Sequence, residues 1–149
     1  MTQKALVFQF LIAEVEKQRE LLLYSINEVQ ASANEETKSS AGDKYETGRA
    51  MAQLEVDKLK VQLHQTNQWL QTLTALPTEV KSEKVVLGSL VKTDQGNFAV
   101  CIPWKQLHTG AETWQPVSPQ APLALAMMGK KKGDIVLFQQ RTFHIFSLE

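Results

Sequence analysis

The chain has 149 residues, enough for one ordinary domain or two small ones. Its 43% hydrophobic and 21% charged content is that of a soluble, foldable chain, not a disordered or membrane one. Sixteen basic residues balance sixteen acidic ones, and neither half carries the basic excess of a protein that grips nucleic acid by itself. Cys101 is the only cysteine, which excludes an intrachain disulfide and fits a reducing, cytoplasmic setting. The apolar run Ala5 to Ala13 is interrupted by Gln9 and preceded by Gln3 and Lys4. It is too short to span a bilayer and reads as a buried helix start.

From Thr2 to about Ala33 there is neither proline nor glycine. Leu11, Val15, Leu22, Ile26, Val29 and Ala33 recur in steps of three and four, with Gln18 filling one polar gap, which predicts one face of a helix. Extra apolar residues at Leu6, Val7, Phe8, Phe10 and Ile12 make its first turns hydrophobic nearly all round, so this end is expected to be buried. A second periodic segment follows Tyr45, Arg49, Ala52, Val56, Leu59, Leu63, Thr66, Leu70 and Leu73, and Pro77 ends it. That seam is sustained for about four heptads and predicts coiled-coil packing. At ~1.5 Å per residue, each arm would reach on the order of 45 Å.

Between the arms, Ala31 to Arg49 is small, polar and interrupted by glycine, with carboxylates at Glu35, Glu36, Asp43 and Glu46. It reads as the tip of a long antiparallel hairpin, centred near residues 34–46. Ser39 or Ser40 is placed to cap the second helix, and Ser40 with Asp43 resembles a capping box. The alternatives are a compact bundle, or pairing of the two helices with another chain.

After Pro77 the pattern changes to that of a small α+β domain over residues 78–149, leaving residues 1–77 as the hairpin. Thr78 to Lys84 reads as a linker, and Lys84–Val91 as a strand. Turn residues Asp94 to Asn97 lead into a returning strand over Asn97–Trp104. Gln106 to Gln115 reads as a loop. Pro119 and Pro122 open a short apolar helix that Gly129 closes, and Lys130 to Asp134 form a turn. Ile135–Gln140 and Thr142–Leu148 alternate as a final hairpin, giving four or five strands in all. His64, His108 and His144 lack a second ligand at metal spacing, and Cys101 sits in an apolar run as a core residue. No nucleophile–base set or glycine-rich phosphate loop is present, so no independent enzyme active site is read.

The stretch SPQAPLALAMMGKKKGDIVLF resembles the C-terminal signature of the Gre-type bacterial transcription elongation factors. Ser118, Pro119, Pro122, Leu123, Ala126, Gly129, Lys130, Gly133, Asp134 and Val136 match that pattern. KVVLGSLV resembles the opening of the same domain, and the order of hairpin then small domain agrees. The resemblance implies an FKBP-like fold for residues 78–149 and RNA polymerase as partner. It implies a tip inserted through the polymerase's secondary channel, with nascent RNA touched only indirectly and no membrane role. It also implies that the chain is a monomer with no cofactor of its own, whose tip acids help hold a second Mg²⁺ in the polymerase active site. Aligning the family's tip tyrosine with Tyr45 puts its two acid positions at Lys38 and Ala41, which carry no carboxylate. A second register matches Asp43 and Glu46, three residues apart, with Glu35 and Glu36 as alternates. The motif residues Ser118, Pro119, Pro122, Gly129, Lys130, Gly133 and Asp134 are candidates for partner binding or for purely structural roles. Lys130, Lys131 and Lys132 are either a contact for polymerase or nucleic acid, or a solvated turn. Two further readings stay open: a non-catalytic channel regulator, and a coiled-coil scaffold or FKBP-like interaction protein. Phe98, Trp104, Trp114, Phe138, Phe143 and Phe146 are either a core or the lining of a prolyl-isomerase-like pocket.

Overall fold

A computed structural model describes residues 2–36 and 42–149, and side chains at 2–35 and 46–149. Two helices of 34 residues each come first, α1 over Gln3–Glu36 and α2 over Gly42–Ala75. Six strands and one short helix follow: β1 Leu90–Thr93, β2 Gly96–Val100, β3 Leu107–Thr109, β4 Glu112–Val117, α3 Pro122–Met127, β5 Ile135–Phe138 and β6 Arg141–Leu148. The chain divides into two compact units, Ala13–Leu70, and Met1–Ile12 with Gln71–Glu149. The division follows packing, so the first turns of α1 and the last of α2 fall with the sheet.

In the helical unit, burial follows the predicted seam. Val15, Leu22, Ile26, Val56, Thr66 and Leu70 are buried, and Gln18, Val29, Ala33, Ala52, Leu59 and Leu63 are half-buried. Among the seam positions whose side chains are described, Arg49 stays exposed. Gln30, Ala33 and Asn34 of α1 share a groove with Arg49, Ala52, Gln53 and Val56 of α2, so the helices run antiparallel. Thr66 is the buried polar residue among the described seam positions, and its hydroxyl donates to the Gln62 carbonyl at 2.9 Å, so this donor is not left without a partner. The pair is the long α-helical hairpin that the heptads predict.

In the second unit, Thr2 caps α1: its hydroxyl accepts the Ala5 N–H at 3.0 Å. The same hydroxyl donates to the Thr78 carbonyl at 2.9 Å, and Gln3 bonds Glu112. Val7, Phe8 and Leu11 are fully buried. Leu6 and Phe10 are not, so these turns are covered on part of their circumference and not all round. Ala75 ends α2 two residues before Pro77, whose ring disfavours helical backbone at the residue before it.

The sheet order is β3-β4-β2-β1-β6-β5. All neighbours are antiparallel except β2 and β4, which pair in parallel with Ala99 opposite Pro116. One face carries the core of Val91, Phe98, Val100, Val136, Phe143 and Ile145 with Met127 of α3; Phe98 and Phe143 meet edge-to-face at 6.2 Å. Leu90, Ala99 and Trp114 point to the other face and are also buried. Both faces of the central strands are therefore covered, where an antiparallel sheet often leaves one to water.

Several boundaries differ from the sequence reading. The first strand begins at Leu90, because Val85 bonds outside the ladder: its N–H donates to the Lys130 carbonyl and its carbonyl accepts from Gly129. Gly88, at φ +94°, turns the chain between them. The returning strand stops at Val100, short of Pro103. Gln106 to Gln115 is not a loop but most of a hairpin, β3 and β4, with Leu107 opposite Trp114. Among the described residues the strands number six, not four or five.

Candidate functional site

A helix of heptads places whatever lies between its arms at one end, and here the acids lie there. Glu35, in the last turn of α1, and Glu46, in the second turn of α2, are exposed. Asp43 belongs to the first turn of α2 and Glu36 is the last residue of α1, but their side chains lie outside the described residues. Lys38, Ser39, Ser40 and Ala41 lie outside them entirely. Positions 43 and 46 share one unbroken helix, so they are neighbours on its surface.

Beneath these acids the two arms enclose an open groove of about 310 Å³. Small seam residues, Ala33 and Ala52, form its floor with Val56, and Gln30, Asn34, Arg49 and Gln53 form its rim. Gln53 is held by Asp57, four residues on, at 2.8 Å. Arg49 is the one cation of this groove and stands three residues from Glu46 on the same helix.

The Ser118–Asp134 motif is built for backbone geometry. The Ser118 hydroxyl accepts the Gln120 N–H at 3.2 Å, and its carbonyl accepts the Ala121 N–H. Pro119 follows within that turn, and Pro122 opens α3, where a missing N–H costs nothing. Gly129 takes φ +78° and Gly133 φ +93°, left-handed conformations that side chains resist. The Asp134 carboxylate accepts the Lys131 N–H at 2.8 Å and closes the turn. Lys130, Lys131 and Lys132 are exposed. Most of the motif is thus accounted for by folding, and Leu125 and the three lysines are among the side chains it offers to solvent.

A titratable site missed from the sequence is Lys4. Its ammonium is buried and donates to the Val80 carbonyl at 2.9 Å and the Ser82 hydroxyl at 3.4 Å. Burial pushes its pKa below the ordinary lysine value, and the charge of Glu149 opposes that shift. The only sequence signal was a lysine beside an apolar run, which more often means a solvated flank. Glu149 Oε2 is buried without a hydrogen-bond partner among the described residues. Glu112 links three elements, bonding Gln3 and taking an ion pair from Lys92 at 2.7 Å. Lys92 also lies 5.8 Å from the Trp114 ring centre.

Cys101 is buried, and desolvation pushes its thiol up to about 12, so it is an inert core residue. Of the six aromatics, Phe98, Trp114 and Phe143 are buried, Trp104 and Phe138 half-buried, and Phe146 exposed. Among the described residues, no three His, Cys, Asp or Glu side chains form a metal-holding group. None of the described helices is long and apolar enough to cross a membrane.

No family model matches the sequence, and no curated protein matches it. Among solved structures, the chain is similar to that of the transcription factor Gfh1, at 19% identity over 92% of each chain and a TM-score of 0.35.

Proposed function

We propose that this chain acts on RNA polymerase by inserting its hairpin tip into the secondary channel. The observation that supports this best is the hairpin itself: two 34-residue helices on one seam, with exposed acids at their far end. A pair of that length is more than a core of this size needs, so its reach is read as its use. The SP-x-x-P…GK-x-x-GD resemblance supplies the partner. Asp43 and Glu46, or Glu35 and Glu36, offer carboxylate oxygens, the donor type that Mg²⁺ prefers while keeping several waters. One or two such oxygens suffice only if the polymerase provides the rest. These carboxylates would hold a second Mg²⁺ in the polymerase active site, where with the polymerase's own metal it would supply stabilisation of the attacking water and the leaving oxygen in transcript cleavage. The chain's own part is to position the acids.

A second reading, a regulator that occupies the channel without cleavage, draws support from the alignment that puts Lys38 and Ala41 at the family's acid positions. A backtracked elongation complex incubated with Mg²⁺ and the protein separates the two. Shortened transcripts that disappear with Asp43→Ala/Glu46→Ala support the first reading, and cleavage that survives both changes rejects this choice of acids. Altered elongation without cleavage supports the regulator. Failure to bind polymerase in a pull-down removes both and leaves a scaffold, which light scattering would reveal as an obligate dimer.

A further inference from the structure

A cleft of about 210 Å³ opens at the start of α1, lined by the first residues of that helix, by residues 78–81 and by Glu149. The main chain of Glu149 is fixed: its N–H donates to the Leu90 carbonyl and its carbonyl accepts the Leu90 N–H, each at 2.9 Å. Its side chain is not satisfied, because Oε2 is buried and takes no hydrogen bond among the described residues. A buried carboxylate oxygen is costly to leave unpaired, so this atom calls for a donor. Lys4, only 4% exposed, lines the same cleft. Its ammonium has three N–H groups and engages two of them, on the Val80 carbonyl and the Ser82 hydroxyl. The third calls for an acceptor. The N–H groups of Gln3 and Lys4, in the first turn of α1, have no intrahelical acceptor either.

The charges on the lining select the occupant. Lys4 and Glu149 form no ion pair with each other among the described residues. They are nevertheless close, since the Glu149 carboxylate raises the Lys4 pKa against the effect of burial. The other charged side chains of the lining are Glu79 and Lys81, both exposed. A lone anion would therefore meet Glu149 and Glu79, and a lone cation would meet Lys4, Lys81 and the positive end of α1. An occupant carrying one charge of each sign, a short distance apart, finds an opposite charge at both ends. The space is of the right scale: a protein cavity of about 150 Å³ takes benzene, so this one admits a molecule of roughly eight non-hydrogen atoms.

We propose that this cleft binds a small zwitterion, an aliphatic α-amino acid, with its carboxylate on Lys4 and the first turn of α1 and its ammonium on Glu149. Val80 and the methylene stem of Lys81 line the cleft beside these poles and offer aliphatic surface to the ligand's side chain. The inference stands independently of the channel reading.

The test titrates L-valine into the full chain and follows the backbone amide resonances of Gln3, Lys4, Val80 and Glu149, which are expected to shift and saturate. Three molecules of similar size serve as comparators: isovalerate lacks the ammonium, isobutylamine lacks the carboxylate, and isobutyramide is neutral. Each is expected to bind about tenfold more weakly or worse, because it leaves at least one buried charge without a charged partner. Lys4→Met would also remove bonds that hold the fold, so the variant measured is Glu149→Gln, which keeps the side-chain shape. It is expected to weaken valine about tenfold while the amide resonances of the sheet stay in place. No saturable shift up to the solubility limit of valine would overturn the proposal. So would a comparator that binds as tightly as valine, or a valine affinity unchanged by Glu149→Gln.

Discussion

Leu21, Leu22 and Leu23 are three identical side chains in one turn of α1, and only the middle one lies on the seam. Leu22 is 5% exposed, against 56% for Leu21 and 44% for Leu23. Replacing a leucine by alanine removes about three methyl or methylene groups at ~0.8 kcal/mol each when fully buried. At Leu22 that transfer loss is ~2.4 kcal/mol, and a residual cavity raises it to about 3 kcal/mol. A two-helix seam relaxes more easily than a closed core, so a value near the lower end of the measured range is expected. At Leu21 and Leu23 roughly half the side chain is already in water, so each alanine should cost ~1 kcal/mol or less. Urea titration followed by far-ultraviolet ellipticity, with amide exchange across residues 18–26, gives the three values side by side. If Leu21→Ala or Leu23→Ala costs as much as Leu22→Ala, the seam assignment is wrong and α1 packs on another face.

Gly88 sits at φ +94°, with Leu76 Cδ2 only 3.2 Å from where a Cβ would stand, whereas Gly129 at φ +78° has open space around it. Thermal melts should show Gly88→Ala costing about 2–3 kcal/mol and Gly129→Ala about 1 kcal/mol, and the reverse order would contradict this geometry. The β5–β6 turn places Gln139 and Gln140 at φ 50° and 65°, so Gln139→Asn/Gln140→Gly should stabilise the fold by about 1 kcal/mol in urea titration. Lys4 has a folded pKa below the ordinary 10.5, so between the two values the unfolded chain binds the extra proton and stability rises with pH. Lys4→Met should flatten that rise when unfolding is measured across the alkaline window, and an unchanged slope would remove Lys4 as its source. Iodoacetamide should leave Cys101 unmodified in native buffer and label it fully in denaturant, as mass spectrometry would show.

Some of this molecule was legible residue by residue. α1 follows from a long stretch without proline or glycine, and α2 from a sustained heptad and a stop at Pro77, all of which act within a few turns. Pro122 and Gly129 bracket α3 for the same reason, since each imposes its own backbone angle. The Asp94-Gln95 turn and the β5–β6 hairpin are equally local. Only the tertiary structure decided that Val85 pairs with Gly129 and Lys130 instead of extending β1, and that β2 lies parallel to β4. Lys4 is buried because the chain near Val80 and Ser82 comes to meet it, 76 and 78 residues away. Such contacts depend on which distant groups are left to satisfy each other once the helices and hairpins have formed, and no short window of residues encodes that choice. The acids stand at the end of the hairpin because the heptads run without a break on either side of them.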